Sequence, residues 1–196
     1  MHSIALTSGR WGVVLVMGAI GALRLGELIV SAARLRAGRR QGAVRPLAEP
    51  AYPWIVAVHA AWFGGTVIEA WAAPHALPGW GVVAAGGAWA ASLALRGWMM
   101  ASLGTLWNVR IVARERQPVV TQGPYAWIRH PNYLAVILEI AAVPLLLGAV
   151  WTAVLGTLAN AAILAVRIRR EEAYLFSQPG YRTAFEQKKR LVPGVF

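Results

Sequence analysis

The sequence predicts an all-α fold, an integral membrane helical bundle of about five transmembrane helices, and three observations carry that prediction. Apolar residues make up 58% of the 196-residue chain and charged residues only 14%, where a soluble domain carries about 45–50% and ~25%. Ten tryptophans suit a chain that passes repeatedly through bilayer interfaces, where this side chain is favoured. Long apolar stretches also alternate with basic, proline-containing segments. The same composition excludes a disordered chain. The absence of cysteine excludes a thiol nucleophile, a thiolate zinc site, an iron–sulfur cluster and a disulfide framework.

The first apolar stretch runs from Trp11 to Ala33, interrupted by Arg24 and Glu27. As a helix it rises about 35 Å, enough to cross a ~30 Å hydrocarbon core. Arg24 and Glu27 are three apart and share a face, where they can pair. A weakly basic start without a small-x-small cleavage site argues against a signal peptide. A second stretch spans Trp54–Ala73 with His59 and Glu69 inside it, and a third runs from Gly79 to about Ala101 with Arg96. In the third, Ala84, Gly87, Ala88 and Ala91 recur at helical spacing and suit close packing in lipid.

Ser102–Asn132 is too polar to span and too rich in proline for one helix. Leu103, Trp107 and Ile111 fall at four-residue spacing, which predicts an interfacial amphipathic helix at its start. From Tyr133 to Val166 the only charged residue is Glu139. One helix of that length would rise ~51 Å, so Pro144, Gly148 and Trp151 mark a tight turn between two short spans. The chain therefore divides into residues 1–101, with three N-terminal transmembrane helices, and residues 102–196. The second part holds a polar segment, the hairpin 133–166 and a basic tail.

Sixteen of the nineteen Lys and Arg residues lie in Arg34–Glu49, Ser102–Asn132 and Arg167–Phe196; the others are Arg10, Arg24 and Arg96. The connections near Pro74 and Gly148 have none. Five spans with the N-terminus outside place all three basic segments in the cytoplasm, as the positive-inside rule requires. The net charge of +11 then reflects topology, and no nucleic-acid partner is expected. Gly79-Trp80-Gly81-Val82-Val83-Ala84 fits a dinucleotide fingerprint in letters only, since it opens a membrane helix and no strand precedes it.

Two constellations stand out. Val119-Val120-Thr121-Gln122-Gly123-Pro124-Tyr125-Ala126-Trp127-Ile128-Arg129-His130-Pro131-Asn132-Tyr133 packs aromatics, Arg and His against the start of the hairpin. Interface anchoring, a snorkelling Arg and a Pro in the first turn of a helix account for part of it. They leave His130 and Asn132 beside lipid, where polar groups need partners or a cavity. The second is Arg167-Ile168-Arg169-Arg170-Glu171-Glu172. One reading is a basic helix end with Arg167 paired to Glu171; the other is a pair of carboxylates that accept hydrogen bonds from a ribose or hold a cation.

Joined by the short hairpin and followed by Tyr181, Phe185 and Leu191-Val192-Pro193, these elements resemble the isoprenylcysteine carboxyl methyltransferase family. They are similar also to the wider group of membrane methyltransferases that includes the phospholipid methyltransferases. The resemblance covers about Leu103–Pro193 and not the first three spans. It departs at Phe176-Ser177-Gln178-Pro179-Gly180-Tyr181, where family members often carry Phe-Gly before the Tyr. It implies S-adenosylmethionine as cofactor, bound at the cytoplasmic side of the C-terminal region, and a lipophilic substrate arriving from the bilayer among membrane lipids. It places Tyr125, Arg129, His130, Pro131 and Tyr133 in one half of the cofactor pocket, and Arg167, Glu171 and Glu172 in the other.

Methyl transfer from a sulfonium is an in-line displacement, so alignment and exclusion of water dominate. A carboxylate acceptor needs no general base but an Arg to hold it, and Arg110, Arg129 and Arg167 are candidates. A phenolic or isoprenoid hydroxyl needs a base, for which His130 and Glu139 are the candidates. An amine, as in phospholipid N-methylation, wants a carboxylate or aromatic surroundings. A non-catalytic scaffold or transporter subunit is the reading from another class. Glu27 is expected to pair with Arg24, Glu69 to be solvated at the outer end, and His59 to be a packed polar residue. Asn108 is a further candidate, and no residue cluster has the ligand spacing of a metal site.

Overall fold

In the computed structural model, residues 10–114 and 118–192 are described. Pro193 and the polar residues Glu115, Arg116 and Gln117 lie outside them. Five long helices form the bundle: α1 (Arg10–Arg40), α2 (Tyr52–Ala72), α3 (Gly79–Leu103), α4 (Pro131–Leu146) and α5 (Val150–Leu175). A short α6 (Tyr181–Phe185) follows. The strands β1 (Val44–Pro46) and β2 (Val112–Arg114) pair antiparallel, with Arg45 opposite Ala113. The fold is the expected all-α membrane bundle.

Three helices, α1, α2 and α5, are long and apolar enough to cross a membrane by themselves, and α4 is a shorter apolar helix. The remaining long helix, α3, is apolar except for Arg96 and two serines. Both α1 and α5 run beyond their apolar stretches into the arginine-rich segments, to Arg40 and Leu175. Their outer surfaces carry exposed Trp11, Leu15, Ile29, Leu155 and Leu158, as a lipid-facing surface does.

The core joins Val13, Met17 and Ile20 of α1 to Trp62 and Ala70 of α2 and to Ile140 and Val143 of α4. Trp62 Nε1 donates to the Ile140 carbonyl at 3.0 Å, and Ser92 Oγ to the Ala135 carbonyl at 2.8 Å. With no water in the bilayer, such polar groups find partners on neighbouring helices. The buried stripe of α3 is Ala85, Ser92, Arg96 and Met99. The small-residue stripe expected at the helix interface is turned away from it: Ala84, Gly87 and Ala91 are exposed.

At one end of the bundle the α4–α5 turn meets the α2–α3 connection, where His75 N–H donates to Gly148 O at 2.8 Å. Gly148 has φ +78°, and a Cβ there would lie 3.1 Å from the His75 backbone. Glu69 is not solvated as expected. Its carboxylate accepts from Trp151 N–H at 2.9 Å and from Thr152 N–H and Oγ at 2.8 and 2.7 Å. One helix thus caps the start of another.

Within the bundle, Arg24, Glu27, Arg96 and Glu139 form a charge-balanced cluster across α1, α3 and α4. Arg24 pairs with Glu27, as expected, and also donates to both Glu139 oxygens at 2.9 and 3.0 Å. Arg96 donates to Glu139 at 2.8 Å and to Glu27 at 3.4 Å. His59 Nδ1 lies 2.8 Å from the Ile55 carbonyl of its own helix, the packed polar residue that was expected.

Candidate functional site

The opposite end of the bundle gathers the basic segments around a cleft. Helix α3 stops at Gly104, whose φ of +52° few side chains tolerate. One 3₁₀ turn, Gly104–Leu106, follows. The chain is then extended rather than forming the expected amphipathic helix, and Trp107 and Ile111 are buried. Asn108 anchors this path: its Oδ1 accepts from Ser31 Oγ at 2.8 Å and from Arg110 N–H at 3.0 Å. Arg34 donates to Trp107 O at 3.2 Å. The C-terminal turns of α1 thereby hold one wall of the cleft.

The Gly-Pro-Tyr-Ala stretch forms a 3₁₀ turn, Gly123–Ala126. Gly123 has φ +62° and sits so close to α3 that a Cβ would collide with Ser102 Oγ. This turn delivers Tyr125 to the cleft. Pro131 opens α4 at its first turn, where its missing N–H costs nothing. His130 precedes it as the N-cap and is buried.

The cleft holds about 1020 Å³, open solvent included, and its lining includes Asn108, Arg110, Tyr125, Arg129, His130, Asn132, Tyr133, Arg167, Glu171 and Tyr181. Residues from three distant segments thus face one space. Of the expected site residues, Pro131, Glu139 and Glu172 are not on its walls. Pro131 is packed in the interior, and Glu139 belongs to the intramembrane cluster.

Glu172 is a buried hub behind the wall. It accepts from Arg129 Nη1 at 3.1 Å and lies 3.2 Å from His130 Nε2. Arg190 grips both oxygens, at 2.8 to 3.1 Å. The adjacent Glu171 points to the cleft instead. It accepts from the Tyr133 hydroxyl at 2.5 Å, and its Oε2 is 3.7 Å from His130 Nδ1. His130 therefore stands between two carboxylates. The i,i+4 pairing of Arg167 with Glu171 is not the one formed: Arg167 donates to Val109 O at 2.6 Å and faces Glu49.

Beyond Glu172, Arg129 is spent on the end of α6 and the chain that follows it. It donates to the carbonyls of Phe185, Glu186 and Lys188 at 2.7 to 3.1 Å. Backbone bonds from Arg129 N–H to Lys189 O and from His130 N–H to Arg190 O complete the seam. Burial, and after it the Glu171 carboxylate, hold the Tyr125 and Tyr181 hydroxyls well above the usual tyrosine range. Both stay protonated donors at neutral pH.

The sequence reading missed Glu49, Ser31 and Arg190. Glu49 left a trace, as the single carboxylate in the arginine-rich stretch Arg34–Glu49. Ser31 and Arg190 left none, because their partners are remote in the chain.

The chain is thus a helical membrane bundle with a cleft at its basic end, lined by tyrosines, a histidine, arginines and a carboxylate. The chain belongs to the isoprenylcysteine carboxyl methyltransferase family, whose model matches residues 77–177. It is 33% identical to the uncharacterized protein YpbQ of Bacillus subtilis over 154 residues, 78% of this chain and 89% of that one. It is 36% identical to the protein-S-isoprenylcysteine O-methyltransferase of Schizosaccharomyces pombe over 86 residues. That match spans 42% of this chain and 36% of the yeast protein.

Proposed function

We propose that this protein transfers a methyl group from S-adenosylmethionine to a carboxylate on a lipophilic acceptor that reaches the cleft from the bilayer. The observation that carries the reading is the convergence of Tyr125, His130, Tyr133, Arg167 and Glu171 on one cleft at the basic end of a membrane bundle. The residues fit the cofactor. Glu171 offers carboxylate oxygens to hydroxyls, Arg167 has a buried Nε without a partner, and Leu103, Leu106, Val119 and Leu175 supply apolar wall.

The cofactor supplies an activated methyl group on a sulfonium; the protein's part is to align the acceptor and keep water out. Tyr125, Tyr133 and Glu171 would hold the cofactor's polar groups. Arg110 and Arg167 stand on the wall where an anion would be fixed. A carboxylate is favoured over a phenol because neither expected base, His130 nor Glu139, stands free on the wall. His130 has one ring nitrogen against Glu172 and the other toward Glu171. Glu139, the other candidate, lies outside the cleft in contact with Arg24 and Arg96. A carboxylate is already a nucleophile and needs no proton removed.

Thermal unfolding of the detergent-purified protein with S-adenosylhomocysteine tests the reading. Ligand at about 100 times its dissociation constant adds ~2.7 kcal/mol of stability. The parent is expected to shift upward and Glu171→Gln to shift far less. A folded parent that does not respond at saturating ligand would remove the cofactor from this cleft.

A further inference from the structure

Glu49 lies between β1 and α2, and its side chain is 3% exposed. Its Oε1 accepts from Arg110 Nε at 3.1 Å and from Ile111 N–H at 2.8 Å. Its Oε2 is 3.3 Å from Arg167 Nη2 but receives no hydrogen bond. Both arginines line the cleft. Arg110 also stacks on Tyr52, its guanidinium carbon 4.0 Å from the ring centre.

One buried carboxylate therefore joins two cations from opposite parts of the chain. Without it, two guanidinium groups on one wall would repel and splay into whatever partners they could find. With it, the group keeps one excess positive charge. Among the described contacts, the Arg110 side chain donates only from Nε and that of Arg167 only from Nη2. The remaining donors, including the buried Arg167 Nε, have no partner among those contacts. Planar arginine forks suit a carboxylate, which accepts several parallel N–H bonds.

We infer that Glu49 is a positioning residue that holds Arg110 and Arg167 together as a receptor for a carboxylate in the cleft. The inference rests on the reading of that cleft as the cofactor and acceptor site. The carboxylate has two sources, the amino-acid end of the cofactor or the acceptor itself, and the chemistry of the receptor is the same for both.

Binding of two probe pairs to the full-length detergent-solubilised protein tests this. One pair is S-adenosylhomocysteine and its decarboxylated form, S-adenosyl-3-thiopropylamine, which keeps the ammonium and lacks the carboxylate. The other is an S-prenylated N-acetylcysteine and its carboxamide. In Glu49→Gln, the carboxylate-bearing member of one pair is expected to lose about tenfold in affinity while its carboxylate-free counterpart is unchanged. The pair that responds identifies the source.

Glu49→Asp, which keeps the charge, is expected to recover part of the selectivity. Equal loss within both pairs, or no loss in either, overturns the inference, because a merely structural role would not single out the carboxylate. Should Glu49→Gln not fold, Arg110→Gln leaves the other Glu49 contacts in place and must reproduce the selective loss. An Arg110→Gln protein that binds every probe as the parent does overturns the inference too. A parent that binds neither adenosine compound fails the cofactor reading, and Glu49 is then decided on the acceptor pair. A parent that binds no probe overturns both.

Discussion

Adjacent carboxylates with opposite duties are the instructive feature at the scale of single residues. Glu171 and Glu172 are neighbours on a helix, so their side chains point about 100° apart. One turns into the cleft toward Tyr133; the other turns away and gathers Arg129, His130 and Arg190. Glutamine at 172 keeps the shape but removes the charge that three donors share. Removing one partner from a buried ionic group costs about 3 kcal/mol or more. Glu172→Gln is therefore expected to lower the unfolding midpoint and to expose the segment after α6 to proteolysis. Glu171→Gln should keep the midpoint near that of the parent and lose the ligand response. Reversal of the two outcomes would exchange their roles.

Between elements, the intramembrane cluster ties α1, α3 and α4 together through charge rather than shape. Two arginines and two glutamates balance, and Glu139 meets both cations. Such groups persist at membrane depth only when paired. Glu139→Gln would leave Arg24 and Arg96 with Glu27 alone. Its expected effect is a loss of about 3 kcal/mol in thermal stability, with S-adenosylhomocysteine affinity unchanged in the folded fraction. Titration of that ligand against the variant checks it: a tenfold weaker affinity with an unaltered midpoint would place Glu139 in ligand binding instead. Glu69 plays a comparable part at the far end, where α2 caps α5, so the interior of the bundle and that end are secured by different devices.

For the molecule as a whole, the distribution of positive charge predicts an orientation. The cleft lies at the end where the arginine-rich segments meet, and the opposite connections carry no Lys or Arg. The positive-inside rule predicts that the cleft faces the cytoplasm, where a soluble cofactor would arrive. The chain has no native cysteine, so single cysteines report topology cleanly. Ala76→Cys, in the exposed α2–α3 connection, is expected to react with a membrane-impermeant maleimide in intact cells. Thr183→Cys, exposed on α6, should react only after the membrane is opened. The opposite pattern would invert the orientation.

The sequence by itself determined the number of long helices, the turn at Gly148 and the membrane setting, because these follow from runs of apolar residues and breaks in them. It also marked the two constellations that meet at the cleft, since Tyr125, His130, Tyr133, Arg167 and Glu171 sit in short motifs. Tertiary structure alone decided which polar residue serves which partner. The polar stretch after Leu103 has helical spacing, yet Gly104 ends α3, and the Asn108–Ser31 contact secures an extended path beyond it. Glu139 and Glu172 were expected at the site, and Arg24, Arg96 and Arg190 reach them from elsewhere and hold them away from the cleft wall. Glu49 carried no expectation in the basic segment that it closes, and folding set it against Arg110 and Arg167. Apolar periodicity is a local property of the chain, whereas the pairing of a buried charge depends on which distant segment folding brings within about 3 Å.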